Sequence, residues 1–217
     1  MTLSLNEIES LCKKAARGAG LSWGLAEEAG KAARWLSAHG LEGPGLLAAQ
    51  LRRNDGLAWQ ALAPVIGEGA WQAATLPMCP VIAGATLGDH AYLLATTGEI
   101  SLCEVACPPL LMPFVSAAAK RLQVPLKLCW PGGSAGFDRH GKAFLNMAEK
   151  TLLYSAAPVR CTAMAGPFNE TDALQGPLAQ VAEQDLSYLE SLAERTYVPA
   201  SEASRLQGAG AGLSDNN

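Results

Sequence analysis

The sequence has little charge and no concentration of charge of either sign. Only 17% of its residues are Asp, Glu, Lys or Arg, and the net charge is −4 at pH 7. Basic residues occur at most in pairs such as Lys13-Lys14 and Arg52-Arg53, whereas nucleic-acid binding needs a concentrated positive face. We therefore expect no nucleic-acid partner. The low charge also predicts that part of the surface is covered by a second copy, so that the protein forms homo-oligomers.

Long apolar segments are missing too. No stretch approaches the ~18 apolar residues that a membrane span needs, so we expect no membrane partner. The start of the sequence, from Met1 to Glu7, has neither the basic beginning nor the apolar core of a secretory signal peptide. The six cysteines are scattered, which predicts free thiols in a reducing, cytoplasmic location. They are Cys12, Cys79, Cys103, Cys107, Cys129 and Cys161.

Metal and cofactor motifs are also absent from the sequence. Cys103 and Cys107 form a C-x3-C pair, but a zinc site needs a second pair at matching spacing. The glycines from Gly208 to Gly212 resemble a nucleotide-binding loop. However, only five residues follow them, too few for the helix whose N-terminus would hold a phosphate. The sequence therefore predicts neither a metal nor a cofactor.

The N-terminal part of the sequence predicts helices. A capping box at 4–7 begins the first helix, apolar residues at helical spacing continue it, and Gly18 favours its end. Ser22 is expected to cap a second helix that ends at Gly40. Gly43-Pro44-Gly45 predicts a break. Shorter helices are expected over 46–53 and 57–66.

The middle of the sequence predicts strands, separated by turn signals. They are expected over 80–85, 91–95, 100–105, 124–130, 150–156 and 159–165. A helix over 110–122 interrupts them, and an amphipathic helix over 178–195 precedes a small-residue tail. Because helices and strands are segregated, the sequence predicts a single α+β domain over 1–217. It would have N-terminal helices, a central mixed or antiparallel sheet, a long C-terminal helix and an extended tail, with a helical subdomain over 1–72 as the alternative.

The candidate functional site is the glycine-rich segment from Cys129 to Gly136. A strand is expected to end there in a turn, and such turns expose backbone N–H groups to an anion. Gly132, Gly133 and Ser134 are therefore predicted ligand-binding residues. Arg139 would add a guanidinium fork for a carboxylate or phosphate.

The same segment contains a candidate catalytic pair, Cys129 and His140. A cysteine nucleophile needs a base within hydrogen-bond reach, and His140 is close in sequence. The alternatives are that Cys129 packs as a small apolar residue and that the segment is a plain connection.

Two functions follow from these features. The first is an enzyme or binding protein for a small polar, anionic metabolite, with its site at the turn after Cys129. The alternative is a non-catalytic accessory or oligomer-forming subunit. It would use the alanine-rich N-terminal helices and the C-terminal tail, either a loose end or a packed arm, as contact surfaces.

Two blocks of the sequence, Ala15 to Leu36 and Arg195 to Gly212, together resemble an uncharacterised proteobacterial family that is catalogued only as a domain of unknown function. This resemblance implies no activity and no site residue. The segment from Leu5 to Gly43 is also similar to the opening helices of the malate/L-lactate dehydrogenase-like oxidoreductases. The motif with His and Gly that follows in those enzymes is missing, so no residue role is transferred from them.

Overall fold

The structure is a computed structural model that describes residues 1–147, 153–166, 168, 173–174, 176–178 and 180–197. Its α-helices are α1 (Leu5–Gly18), α2 (Trp23–Ala38), α3 (Gly43–Asn54), α4 (Pro80–Asp89), α5 (Tyr92–Thr96), α6 (Met112–Leu122) and α7 (Glu183–Glu194). Its strands are β1 (Glu99–Ala106), β2 (Leu126–Trp130), β3 (Gly133–Phe137), β4 (Ala143–Met147) and β5 (Ala156–Ala163). Short 3-10 turns lie at Trp59–Leu62 and at Pro108–Leu111. The predicted α+β class is confirmed.

The first two helices begin where the sequence predicts. The Ser4 hydroxyl accepts the Glu7 backbone N–H, and the Glu7 carboxylate accepts the Ser4 N–H, at 3.3 and 2.7 Å, so the capping box is complete. Ser22 caps α2 through the N–H of Leu25. Both α2 and α7 pack against α1. The alanine-rich faces of α1 and α2 are therefore buried inside the protomer.

Two of the predicted strands are wrong. Residues 80–85 lie in α4 and residues 91–95 largely in α5. Pro80 occupies the first turn of α4, where its missing N–H costs nothing. Nearly the whole of α4 is apolar and six of its residues are buried. Such a short apolar run has no period that separates a helix from a strand.

Other boundaries also differ from the prediction. Gly43-Pro44-Gly45 forms the first turn of α3 rather than a break, and 57–66 contains only the 3-10 turn Trp59–Leu62. The predicted strand over 150–156 begins outside the described residues, and only its last residue, Ala156, lies in β5. Helix α7 begins at Glu183, later than expected. The predicted tail lies outside the described residues beyond Tyr197.

The five strands form one antiparallel sheet in the order β1-β5-β2-β3-β4. The last strand in the chain, β5, therefore lies between β1 and β2. The inner face of the sheet buries apolar side chains against helices α4 to α6. Over β1, β5 and β2 the outer face carries small and polar side chains that are half-buried or exposed. At the other end of the sheet, Phe144 of β4 is buried on this face and stacks with Phe168 beside Gly136.

Helix α3 connects two hydrophobic clusters. Leu46 belongs to the cluster under the sheet, and Leu47 belongs to the cluster formed by α1, α2, α7 and the start of α4. Both leucines are fully buried. Among the described residues, no helix combines the length and apolar character needed to cross a bilayer.

Candidate ligand-binding site

The predicted glycine-rich turn is a two-residue hairpin connection. Trp130 pairs with Gly133 across β2 and β3, which leaves Pro131 and Gly132 as the turn. Gly132 has φ +83°, a conformation that favours glycine. A Cβ on Gly133 would lie 2.7 Å from the Trp130 indole ring. Turn geometry and close packing therefore account for both glycines without a ligand.

We expect Gly133→Ala to lower the free energy of unfolding by about 1–3 kcal/mol, because the added methyl group overpacks the space under the Trp130 ring. Denaturant unfolding checks this value. Ser134→Ala, one residue later on the half-buried outer face, is the control and should change stability by less than about 0.5 kcal/mol. Equal stabilities of the two variants would contradict the packing explanation.

The other predicted residues lie in the turn between β3 and β4. Asp138 organises this turn, since its Oδ1 accepts the backbone N–H groups of His140 and Lys142, each at 2.8 Å. The Arg139 Nε lies 3.2 Å from the His140 Nε2 and donates to it. Both side chains are exposed in this turn.

The structure places the two parts of the predicted site at opposite ends of β3. Cys129 pairs with Ser134 at one end, and His140 follows the other end, which is Phe137. The strand from Ser134 to Phe137 alone spans about 10 Å. His140 therefore lies beyond hydrogen-bond reach of Cys129 in this structure. Ser134 stays beside Cys129, whereas Arg139 stays with His140.

Cys129 instead lines a groove on the outer face of the sheet, which we call the sheet groove. It crosses β1, β5 and β2 and has a volume of about 440 Å³. Its lining residues are Ala70, Ser101, Leu102, Cys103, Cys129, Trp130, Pro131, Pro158, Val159 and Arg160. Register explains this grouping, because Ser101 pairs with Arg160 and Arg160 pairs with Cys129 on neighbouring strands.

Arg160 is the one charged residue among those that line the sheet groove. Its Nε lies 3.4 Å from the Glu99 Oε1, and the same oxygen accepts the Ser101 hydroxyl at 2.7 Å. Within the described part of the chain, the guanidinium has no further partner. Glu99 therefore engages one side of Arg160 and leaves its terminal N–H groups available to a ligand. The side chain is 63% exposed, so solvent weakens the ion pair.

The cysteines divide into an accessible pair and a buried group. All six are free thiols, as predicted. Cys103 and Cys129 are half-buried and line the sheet groove. Burial raises the pKa of Cys12 and of Cys161 to about 12 and that of Cys107 to about 11. These three thiols stay protonated at neutral pH, and a protonated thiol is a poor nucleophile.

Cys103 and Cys107, the C-x3-C pair, occupy different environments. A register shift follows Leu102 in β1, and Cys107 lies beyond the strand, buried and with φ +43°. Among the described residues, no group of three or more His, Cys, Asp or Glu side chains is placed to hold a metal ion.

Sequence reasoning found Cys129 but missed Ser101, Cys103 and Arg160. The signal available in the sequence was the alternation of buried and exposed side chains along β1 and β5. In these strands Ser101, Cys103 and Arg160 alternate with buried apolar residues. That alternation identifies an outward face for each strand. It does not identify which strands are neighbours, so the groove was not predictable from it.

Comparison with known protein families gives a match to the N-terminal part of the chain. Residues 3–76 match the sequence model of a family described as "Protein of unknown function (DUF3726)". The matched region contains α1 to α3 and the following loop, whereas the sheet groove lies almost wholly outside it. No curated protein matches the chain. The predicted resemblance to a family of unknown function is thus confirmed over residues 3–76, where the chain is similar to the DUF3726 family. The match does not include the block from Arg195 to Gly212, and the proteobacterial origin of the family stays a prediction.

Proposed function

We propose that this protein binds a small anionic metabolite in the sheet groove. The observation that supports this proposal is the Arg160 guanidinium, whose Nε faces Glu99 while its terminal N–H groups face no described partner. Two terminal N–H groups in one plane match the two oxygens of a carboxylate or a phosphate. Ser101 and the thiols of Cys103 and Cys129 supply further polar atoms in the groove.

This proposal moves the cation of the site from Arg139 to Arg160. It keeps Cys129 and the ligand class that the sequence predicts. Catalysis by Cys129 and His140 is not part of it, because β3 separates the two side chains. Binding without chemistry is therefore the function that the geometry supports best.

We expect Arg160→Ala to weaken anion binding about tenfold or more, because a charge-assisted hydrogen bond contributes about 1.5–3 kcal/mol and exposure favours the lower end. A panel of mono-, di- and tricarboxylates and phosphate esters is screened by thermal shift, and the affinities of hits are measured by calorimetry. Arg160→Lys tests whether the paired N–H donors of the guanidinium are needed, since lysine keeps the positive charge and lacks the paired donors.

Two variants serve as controls for this experiment. Lys127→Ala removes a cation from the same strand as Cys129 without altering the groove lining, and its affinities should equal those of the wild type. Arg139→Ala removes the cation at the far end of β3. Loss of binding in Arg139→Ala with unchanged binding in Arg160→Ala would place the site at the β3–β4 turn and contradict the groove.

The accessory-subunit alternative receives no support from the surfaces on which it was based. The alanine-rich faces of α1 and α2 already pack within the protomer, and the C-terminal tail lies outside the described residues. The cytoplasmic location and the homo-oligomeric state stay predictions.

A further inference from the structure

A second cavity adjoins the sheet groove along β1. It has a volume of about 530 Å³, and we call it the loop cavity because the loop from Gly67 to Ala70 forms one side of it. Ala70 and Ser101 line both the loop cavity and the sheet groove, so the two spaces are neighbours. The remaining lining residues of the loop cavity are Trp71, Leu93, Thr97, Glu99 and Ile100.

The charges that line these two spaces are opposite in sign. Glu68 and Glu99 are the charged residues of the loop cavity, whereas Arg160 is the charged residue of the sheet groove. Glu99 and Arg160 form the ion pair described above, so the acidic member of that pair lines one space and the basic member lines the other. A cavity lined by charges of one sign attracts ligand groups of the other sign. The loop cavity therefore favours a cationic group.

Both carboxylates of the loop cavity can accept further hydrogen bonds. The contact of Glu99 with Arg160 and its hydrogen bond from Ser101 both involve Oε1, and a carboxylate accepts hydrogen bonds through either oxygen. Glu68 is exposed and forms no ion pair with any residue in the described part of the chain. An ammonium group has three N–H donors, so it can bind both carboxylates together.

The wall of the loop cavity between its charged groups is apolar. Trp71 and Ile100 are each 3% exposed and Leu93 is half-buried, and all three line the cavity. Burial of methylene groups against such side chains is favourable. A ligand whose two charged ends are joined by an aliphatic chain therefore matches this surface.

We propose that the ligand is an amino carboxylate with its charged groups at opposite ends of an aliphatic chain, an inference that rests on the proposed function. The carboxylate binds Arg160 in the sheet groove, and the ammonium group binds Glu99 and Glu68 in the loop cavity. The chain passes Ser101 and Ala70, which line both spaces. An α-amino acid carries both charges on one carbon, which is too short to pass the Glu99–Arg160 pair.

Titration of the isotope-labelled protein with matched six-carbon probes, followed by NMR, tests this ligand class. Caproate has the carboxylate alone, and ε-aminocaproate adds an ammonium group at the far end of the chain. Norleucine carries its ammonium group beside the carboxylate, and adipate replaces the ammonium group with a second carboxylate. We expect ε-aminocaproate to bind about three- to tenfold tighter than each of the other probes, because a charge-assisted contact is favourable and partial exposure weakens it.

Substitutions of the two carboxylates assign the binding site of the ammonium group. Glu68→Gln and Glu99→Gln should each reduce the preference for ε-aminocaproate over caproate. Glu99→Gln should also strengthen the binding of caproate, because it releases the Arg160 Nε from its ion pair. The control is Glu104→Gln, which removes an exposed acid from the same strand and lines neither space. Its affinities should stay within about twofold of the wild type.

The same titrations separate this ligand class from the binding of anions in general. If caproate and adipate bind through Arg160 while ε-aminocaproate binds no tighter than caproate, the sheet groove still binds anions and the amino carboxylate is overturned. Equal affinities of norleucine and ε-aminocaproate would also overturn it, as would an equal loss of preference in Glu104→Gln. If Arg160→Ala leaves the affinities for all probes unchanged, or if none of them binds, the proposed function itself is contradicted and this inference with it.

Discussion

Gly43→Ala is expected to destabilise the protein by about 3 kcal/mol or more, the upper range for overpacking. A Cβ on Gly43 would lie 2.1 Å from the carbonyl oxygen of Ala33 and 3.0 Å or less from two further backbone atoms of that residue. Backbone atoms inside a helix cannot rotate away as a flexible side chain can. The methyl group would therefore separate α3 from α2 along their contact.

The matched control is Gly24→Ala in α2. No atom lies within 4 Å of a Cβ built on Gly24, and alanine has the higher helix propensity. This variant should be neutral or up to about 1 kcal/mol more stable. Denaturant unfolding monitored by circular dichroism measures both variants. A Gly43→Ala variant as stable as the wild type would show that α2 and α3 do not approach as closely as the structure places them.

Leu47→Ala is expected to lower the free energy of unfolding by about 2–5 kcal/mol, the usual cost of truncating a fully buried leucine. Leu47 packs in the helical cluster, and its neighbour Leu46 packs in the cluster beneath the sheet. Because one helix contributes to both clusters, the loss should spread to the sheet. We expect the described residues to unfold as one cooperative unit.

Hydrogen exchange measured by mass spectrometry separates this outcome from the alternative of a helical subdomain over 1–72. In Leu47→Ala, the slowest amides of β2 and β5 should exchange faster by the same factor as those of α1. Faster exchange confined to 1–72 would instead show that the N-terminal helices unfold by themselves. The solvent-facing substitution Arg53→Ala on the same helix is the control and should leave both regions unchanged.

Local signals in the sequence determined much of the helical half. The hydroxyls of Ser4 and Ser22 cap α1 and α2 because each lies three residues before the backbone N–H that it accepts. The alternating strand at 100–105 is β1, since one residue in two is buried there. These features depend on residues close in the chain, so they could be predicted without the fold.

The candidate site was predictable only in part. Cys129 does lie at the end of a strand, next to a glycine turn, as its neighbours in sequence indicate. Its partnership with Arg160 depends on the insertion of β5 between β1 and β2. The side-chain pattern of a strand shows which face is buried and contains no information about which strand lies beside it.

By itself the sequence thus determined the α+β class, the free thiols and the first helices. The sequence left the conformation of 80–85 and 91–95 undecided, because a short apolar run that is buried on both sides fits either a helix or a strand. The tertiary structure decided that these segments are helical. It also decided where β5 lies and so placed Arg160 between Ser101 and Cys129. Contacts between distant parts of the chain control these features, and such contacts exist only once the helices and the sheet have packed together.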